Sequence, residues 1–304
     1  MEQALFQDVA RDWWERYLRR GSVQYADESW RRLEREVLPE LGVKPLAQID
    51  APGILTILRR IESRGSMEVA HKLKSHISQI MRYGIACGLV YSNPARDLGW
   101  ALTPKKPRPR AAITEPRQIG MLMRDIEAFS SQRRRCALQL MALTFVRPGE
   151  LRQAEWSEME RDAAVWRIPA HKMKMKRPHL VPLSRQALEV LRELRTRTGK
   201  ERWLFPSRLD VSRPMGGTVL NTALRRIGYS PEIMTAHGFR AMAATSLSEM
   251  GWPSEIIERQ LAHVDKNKVR AAYQRSELLR ERRKMMQAWS DWLDMRCARA
   301  VLGK

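Results

Sequence analysis

The sequence predicts a mainly α chain with a small antiparallel β-sheet, built as an all-helical front body followed by a mixed α/β second body. Apolar residues recur at helical spacing through most of the first hundred positions. A proline-rich basic stretch interrupts that pattern at 103–112, and beyond it the period switches to that of two short strands before returning to helix. The expected organisation is a helical domain at 1–102, a linker at 103–112 and a second domain at 113–304 that ends in a helical tail.

In the front body, Leu5, Val9, Trp13 and Leu18 repeat along a first helix over 4–19, which Gly21 and Ser22 end. Trp30, Leu33, Val37 and Leu41 place a second helix over about 27–41. Asp50 reads as the N-cap of a third, PGILTILRRIES, because its carboxylate can accept from the first free backbone N–H groups. The longest helix spans 66–87, apolar at Val69, Leu73, Ile77, Ile80, Met81 and Ile85, with His71, Lys72, Lys74, His76 and Arg82 on a polar face. The linker TPKKPRPRAA has three prolines, which hold it extended. Its basic residues Lys105, Lys106, Arg108 and Arg110 can follow a phosphate backbone; the plainer alternative is a soluble hinge.

The second body is expected to open with Thr114 capping a helix to Phe129, followed by another from Arg133 to Phe145. In TFVRPGELRQAEW, Pro148 suits the first turn of a new helix. Arg147 precedes it at the helix mouth, where anions bind, and Glu150 is spaced to orient that arginine. AVWRIPA and HLVPLS read as strands joined by HKMKMKRP, which puts Lys172, Lys174 and Lys176 on a hairpin. Ser184 caps RQALEVLRELRTRT, WLFPS is a short apolar segment, and a helix at 218–228 leads to His237. The tail 276–299 carries Leu279, Met286, Trp289, Trp292 and Leu293 along a helix, a stripe of the kind that packs on its own domain.

Charge narrows the partner. The net +21 is typical of chains that bind polyanions, and it is unevenly placed. Residues 1–100 hold 15 basic and 13 acidic side chains, whereas the remaining 204 hold 40 and 21, so the second body carries the field. No run of eighteen apolar residues exists to span a membrane, and MEQALFQDVARDWW reads as an amphipathic helix start rather than a signal peptide. Cys87, Cys136 and Cys297 are too far apart for a disulfide framework or metal spacing, which implies a reducing, intracellular and metal-free protein.

Chemistry concentrates in HGFRAMAATSLSEMGWPSEIIERQLAHVDKNKVRAAYQR, from His237 to Arg275. His237 and Arg240 lie three apart and so share a helix face; His263 and Tyr273 follow. Arginine grips phosphate oxygens bidentately, histidine donates or shuttles a proton, and tyrosine can attack phosphorus. Taken alone, the same residues also fit a capped helix end and a core tyrosine. His71, His76, His171 and His179 are assigned no site, the first two as helix-surface residues.

Arg147 in VRPGEL, a lysine before VPLS, HGFR, LAH and AAY, in this order over about 130 residues, resemble the tyrosine site-specific recombinases of the phage integrase family. Among these the chain is most similar to integrases of prophages and genomic islands; the helical front half matches that family's core DNA-binding domain by pattern. The family's arm-site-binding domain has no counterpart in these residues, which leaves arm-site binding and control of direction outside the resemblance.

The resemblance implies that Tyr273 attacks the scissile phosphate to give a 3′-phosphotyrosine and a free 5′-hydroxyl, with Arg147 and Arg240 clamping the non-bridging oxygens and His263 donating to one of them. Lys174, seven residues before Val181, falls where the family's leaving-group acid does, with Lys172 and Lys176 as neighbours that compete for the role. His237 handles the phenolic proton, and Glu150 supports Arg147. No metal or other cofactor is expected. The implied partners are double-stranded attachment-site DNA, a homotetramer on synapsed DNA formed from free monomers, a directionality factor and a DNA-bending host protein, in a cytoplasmic, nucleoid-associated setting. A type IB topoisomerase-like nicking and closing enzyme and a catalytically inactive DNA-binding accessory protein are the alternatives.

Overall fold

The computed structural model describes residues 4–21, 23–104, 111–263 and 278–302. The chain divides after residue 108 into two units, each with its own apolar core.

The front unit is α1 (Phe6–Trp13), α2 (Val23–Glu36), α3 (Leu38–Leu41), α4 (Ala51–Ser63) and α5 (Met67–Ala86). The first helix does not run unbroken to residue 19: Trp14–Leu18 form a wider π-helical turn. Consecutive helical residues point about 100° apart, so Trp13 and Trp14 cannot both face a core squarely. The wider turn accompanies burial of both, and Trp14 Nε1 donates to Ala26 O at 2.8 Å. The second expected helix breaks at Val37, because Pro39 has no N–H for the carbonyl four residues back and its ring clashes there. Asp50 caps α4 by accepting from Gly53 N at 3.0 Å.

His76 is not a surface residue. It is 3 % exposed, packs 5.6 Å from the Trp13 ring, and has Nε2 3.3 Å from the Tyr25 hydroxyl. Burial, with Lys72 and Arg32 nearby, pushes its pKa down to about 4.

The second unit opens with α6 (Pro116–Glu127), whose cap is Glu115 rather than Thr114. The Glu115 carboxylate accepts from Arg117 N at 2.9 Å and Gln118 N at 2.7 Å, and those bonds lower its pKa. Next come α7 (Gln132–Thr144), α8 (Pro148–Arg152) and an antiparallel sheet of β1 (Met159–Glu160), β2 (Val165–Ile168) and β3 (His179–Pro182) in that order. Val165 pairs with Pro182 and Ile168 with His179. The two-residue β1 is too short for any period to betray. Then follow α9 (Arg185–Thr198), α10 (Val219–Arg226), α11 (Gly238–Glu249), α12 (Ser254–Gln260) and α13 (Leu279–Leu302). Ser184 caps α9 through Ala187 N at 3.3 Å.

The tail packs at home. Met285, Met286, Trp289 and Leu293 of α13 are buried in this unit's core, and Trp289 Nε1 donates to Ala142 O at 2.9 Å. α13 crosses α6 at backbone contact, since a Cβ on Gly120 would lie 2.3 Å from Arg296 O. Alanine normally gains about 1 kcal/mol over glycine inside a helix. Here two backbones would have to separate, at a cost of about 1–3 kcal/mol. Gly120→Ala should therefore lower the melting temperature; an increase would show that the crossing yields.

Candidate active site

Two arginines converge on one loop. Arg147 precedes α8 as its N-cap, and one carboxylate fixes it twice: Glu150 Oε2 accepts from Arg147 N at 2.8 Å and Oε1 from Nη1 at 2.8 Å. Glu150 is 4 % exposed and the Arg147 side chain 23 %. Arg147 Nη2 then donates to Ala262 O at 3.2 Å. Arg240, in the first turn of α11 and 5 % exposed, donates from Nη1 to Phe145 O at 2.9 Å and from Nη2 to Leu261 O at 2.7 Å. The guanidiniums are thus held by successive carbonyls of one turn.

The two carbonyls at the ends of this brace belong to strained residues. Phe145 has φ 39° and Ala262 φ 49°, both left-handed and both non-glycine. Such a conformation costs about 1–2 kcal/mol and persists where the surroundings over-determine it. An arginine supplies that constraint at each position. Burial and the like charge of Arg147 push the Arg240 pKa down to about 10. An oxyanion between the two guanidiniums would relieve that repulsion.

His263 completes the group. Its Nε2 lies 3.2 Å from Arg240 Nη2 and its Nδ1 2.6 Å from Glu258 Oε2. The neutral ring consistent with both contacts carries its proton on Nδ1, donated to Glu258, and accepts from Arg240 at Nε2. The side chain is 46 % exposed, open to an incoming ligand. His237 stands at the N-cap of α11, one turn before Arg240 on the same face. Gly238, between them, lets this end of the helix close on the chain, because a Cβ there would meet Ala111 O at 2.5 Å.

The hairpin separates the three lysines. Ala170–Lys172 form a 3-10 turn, and a second turn closes from Lys176 N to Met173 O at 3.0 Å, with Lys176 at φ 51°. Strand-like alternation, which would put all three on one face, does not run through these residues. Lys172 points inward, Met173 is buried, and Lys174 and Lys176 are exposed. Tyr273 and the linker residues Lys105, Lys106, Arg108 and Arg110 lie outside the described residues.

Comparison with known proteins matches residues 113–279 to the phage integrase family and residues 6–101 to the phage integrase central domain. The chain belongs to the phage integrase family. It is 37 % identical over 284 residues to prophage integrase IntA of Escherichia coli K12, covering 93 % of this chain and 68 % of that protein. To the integrase of enterobacteria phage P4 it is 38 % identical, covering 95 % and 69 %. Two lambda integrase structures share the fold. A tetramer bound to a Holliday junction gives a TM-score of 0.68 at 18 % identity, covering 91 % of this chain and 78 % of that one. A dimer of residues 75–356 bound to a core site gives 0.66 at 18 %, covering 89 % and 95 %. The mainly α fold with its small sheet is the integrase fold, and the chain is a tyrosine site-specific DNA recombinase.

Behind this integrase's arginines lies a buried polar layer that sequence reasoning missed. His179, at the start of β3, has Nε2 3.0 Å from Gln260 O. Gln260 Oε1 accepts from the fully buried Arg282 of α13 at 2.7 and 3.0 Å, and Arg282 also donates to Leu180 O. The layer links β3, α12 and α13 behind the turn that holds both arginines. Its partners are 22 to 102 residues apart, so no local spacing announces it. Glu258 is the other omission, and its place five residues before His263 was a usable signal.

Burial next to Arg282 pushes the His179 pKa down to about 3. A histidine that stays neutral when folded, but has a pKa near ~6.5 unfolded, stabilises the fold above that value and loses its contribution as pH falls. From pH 7 to pH 5 the loss is about 2 kcal/mol. His179→Gln should flatten the thermal-unfolding pH profile in that window; an unchanged profile would mean that His179 protonates freely in the fold.

Proposed function

We propose that the recombinase cuts and rejoins duplex attachment-site DNA through a 3′-phosphotyrosyl intermediate at Tyr273, in integration and excision of a mobile element. The supporting observation is the pair of braced, mutually repelling guanidiniums of Arg147 and Arg240, with His263 against them; among the described residues the hydrogen-bond partners of the Arg240 guanidinium are two backbone carbonyls and that imidazole. That arrangement suits a phosphoryl group whose equatorial oxygens gain charge.

In this reading the Tyr273 oxygen attacks phosphorus as the bond to the 5′-oxygen breaks. The leaving oxygen keeps the bonding pair and takes a proton from the Lys174 ammonium, while the phenolic proton passes to His237. A phenol of pKa near ~10 needs such a base at neutral pH. Arg147 and Arg240 hold the non-bridging oxygens. His263, oriented by Glu258, hydrogen-bonds one of them through Nε2 as the Arg240 N–H turns from the ring to phosphate. The phosphotyrosine conserves the energy of the broken bond, so a 5′-hydroxyl from a second duplex can reverse the step and complete exchange.

The DNA partner fits the basic second body. At the far end of α7 from the arginine brace, Arg133, Arg134, Arg197 and Arg208 line a cavity of about 810 Å³ without a carboxylate. Burial and the neighbouring Arg226, Arg208 and Arg133 lower the Arg134 pKa. Such crowding suits a polyanion. Lys105, Lys106, Arg108 and Arg110 add backbone contacts, and exchange takes place in a homotetramer assembled from monomers on synapsed sites. A directionality factor and a DNA-bending host protein assist, at the nucleoid in the cytoplasm.

A plasmid bearing two attachment sites tests the reading. Recombinant circles are expected; relaxation of supercoils without exchange would instead support a nicking and closing enzyme, and binding without cleavage an accessory protein.

A further inference from the structure

Lys172 is buried in a way that surface stability does not explain. Its side chain is 6 % exposed, with Glu155 at 15 % and Glu158 at 7 %. The ammonium has three N–H groups and all are used: on Gln153 O at 2.7 Å, on Glu155 Oε1 at 2.7 Å and on Glu158 Oε1. Arg202 pairs with Glu155 at 2.9 and 3.0 Å, so two cations balance two anions. Those bonds, with Arg202 first, hold the Glu155 pKa down to about 2. Buried ion clusters of this sort are often replaceable by apolar side chains at no loss of stability, and their best-attested use is to fix register.

The register at stake here is that of the catalytic hairpin. Gln153 is the residue at which α8 ends, and Arg147 is the residue from which α8 starts. Glu158 also accepts from Trp166 Nε1, on β2, at 2.9 Å. Lys172 therefore ties the hairpin to the helix bearing Arg147 and to the sheet beneath it. Only Met173 separates it from Lys174, and Met173 is itself 6 % exposed in the core. Two inward anchors in succession leave the next side chain exposed at the turn. A general acid must come within about 2.6–3.2 Å of the oxygen it protonates. A 1 Å displacement can cost about 10²-fold in rate.

We propose that Lys172 is a positioning residue for the leaving-group acid, joining the hairpin that carries Lys174 to the end of the Arg147 helix so that the acid and the arginine clamp keep a fixed separation. The proposal rests on Lys174 being that acid, and it separates two lysines that the sequence left in competition: Lys172 has no N–H free for substrate.

The test is single-turnover cleavage of ordinary core-site DNA and of the same DNA with a 5′-bridging phosphorothiolate, whose sulfur leaves without a proton. The variants are Lys172→Met, the charge-balanced double variant Lys172→Met/Glu158→Gln, which leaves no excess buried charge, and Lys172→Arg. The charge-balanced variant should cleave ordinary DNA about 10- to 100-fold more slowly. On the sulfur substrate it should return to within a few-fold of the parent, with DNA affinity unchanged. Adding Lys174→Ala should cost nothing further, and Lys172→Arg should recover part of the loss. Equal slowing on both substrates would make Lys172 merely structural, and an unchanged rate would remove it from the reaction; either overturns the proposal. Rescue in the Lys172 variants but not in Lys174→Ala would make Lys172 the acid and likewise overturn it. If Lys174→Ala alone is not rescued and neither are the Lys172 variants, the acid assignment itself falls, and the proposal with it.

Discussion

Tyr273→Phe should bind core-site DNA as tightly as the parent and form no covalent adduct. The substitution removes one hydroxyl and no charge, so counterion release on binding, and with it affinity, is preserved. Phenylalanine has no atom that can attack phosphorus, so the loss is complete rather than graded. The experiment is a mobility shift beside a denaturing gel on a nicked suicide substrate. A retained adduct would move the nucleophile elsewhere. Tyr229 is the instructive control: its hydroxyl donates to Asp125 Oδ2 at 2.8 Å, and burial raises its pKa well above the ordinary tyrosine value. It is a poor nucleophile where it stands.

Arg240→Lys should fold yet cleave about 10²–10³-fold more slowly, the usual cost of removing one donor to a developing oxyanion. Lysine keeps the charge but not the planar fork. The guanidinium meets Phe145 O, Leu261 O and His263 at once, and a single ammonium cannot span them in the same directions. Arg240→Ala should in addition unfold more readily. It leaves the carbonyls of Phe145 and Leu261 unpaired in a buried site, at about 1–3 kcal/mol each. Cleavage at the parental rate by the lysine variant would show that charge alone suffices at this position.

What was legible in the sequence was what is local. Arg147, Pro148 and Glu150 sit within one helical turn, so the cap and its orienting carboxylate could be read from spacing. Likewise His237 and Arg240 share a face because they are three apart. The brace that makes these residues a site was not legible, since Phe145 and Arg240 lie 95 residues apart and Arg147 and Ala262 lie 115 apart. The hairpin misled for another reason. Alternation along an extended strand makes Lys172, Lys174 and Lys176 equivalent, and only the 3-10 turn at 170–172 and the left-handed Lys176 turn Lys172 inward. His76 sits beside the apolar stripe of α5, between Leu73 and Ile77, and its ordinary polarity hid its burial under Trp13 and Tyr25. Threonine is a common cap and glutamate is not, so residue type points to Thr114, yet the longer Glu115 carboxylate reaches two N–H groups at once.

The most direct measurement traps the parent protein on a nicked core-site duplex, digests the adduct with trypsin and identifies the peptide that carries the nucleotide. Trypsin cuts after Arg270 and Arg275, so the account predicts the peptide Ala271–Arg275 with the 3′-phosphate on Tyr273. Nucleotide on any other peptide, or cleavage with no covalent adduct, would contradict it.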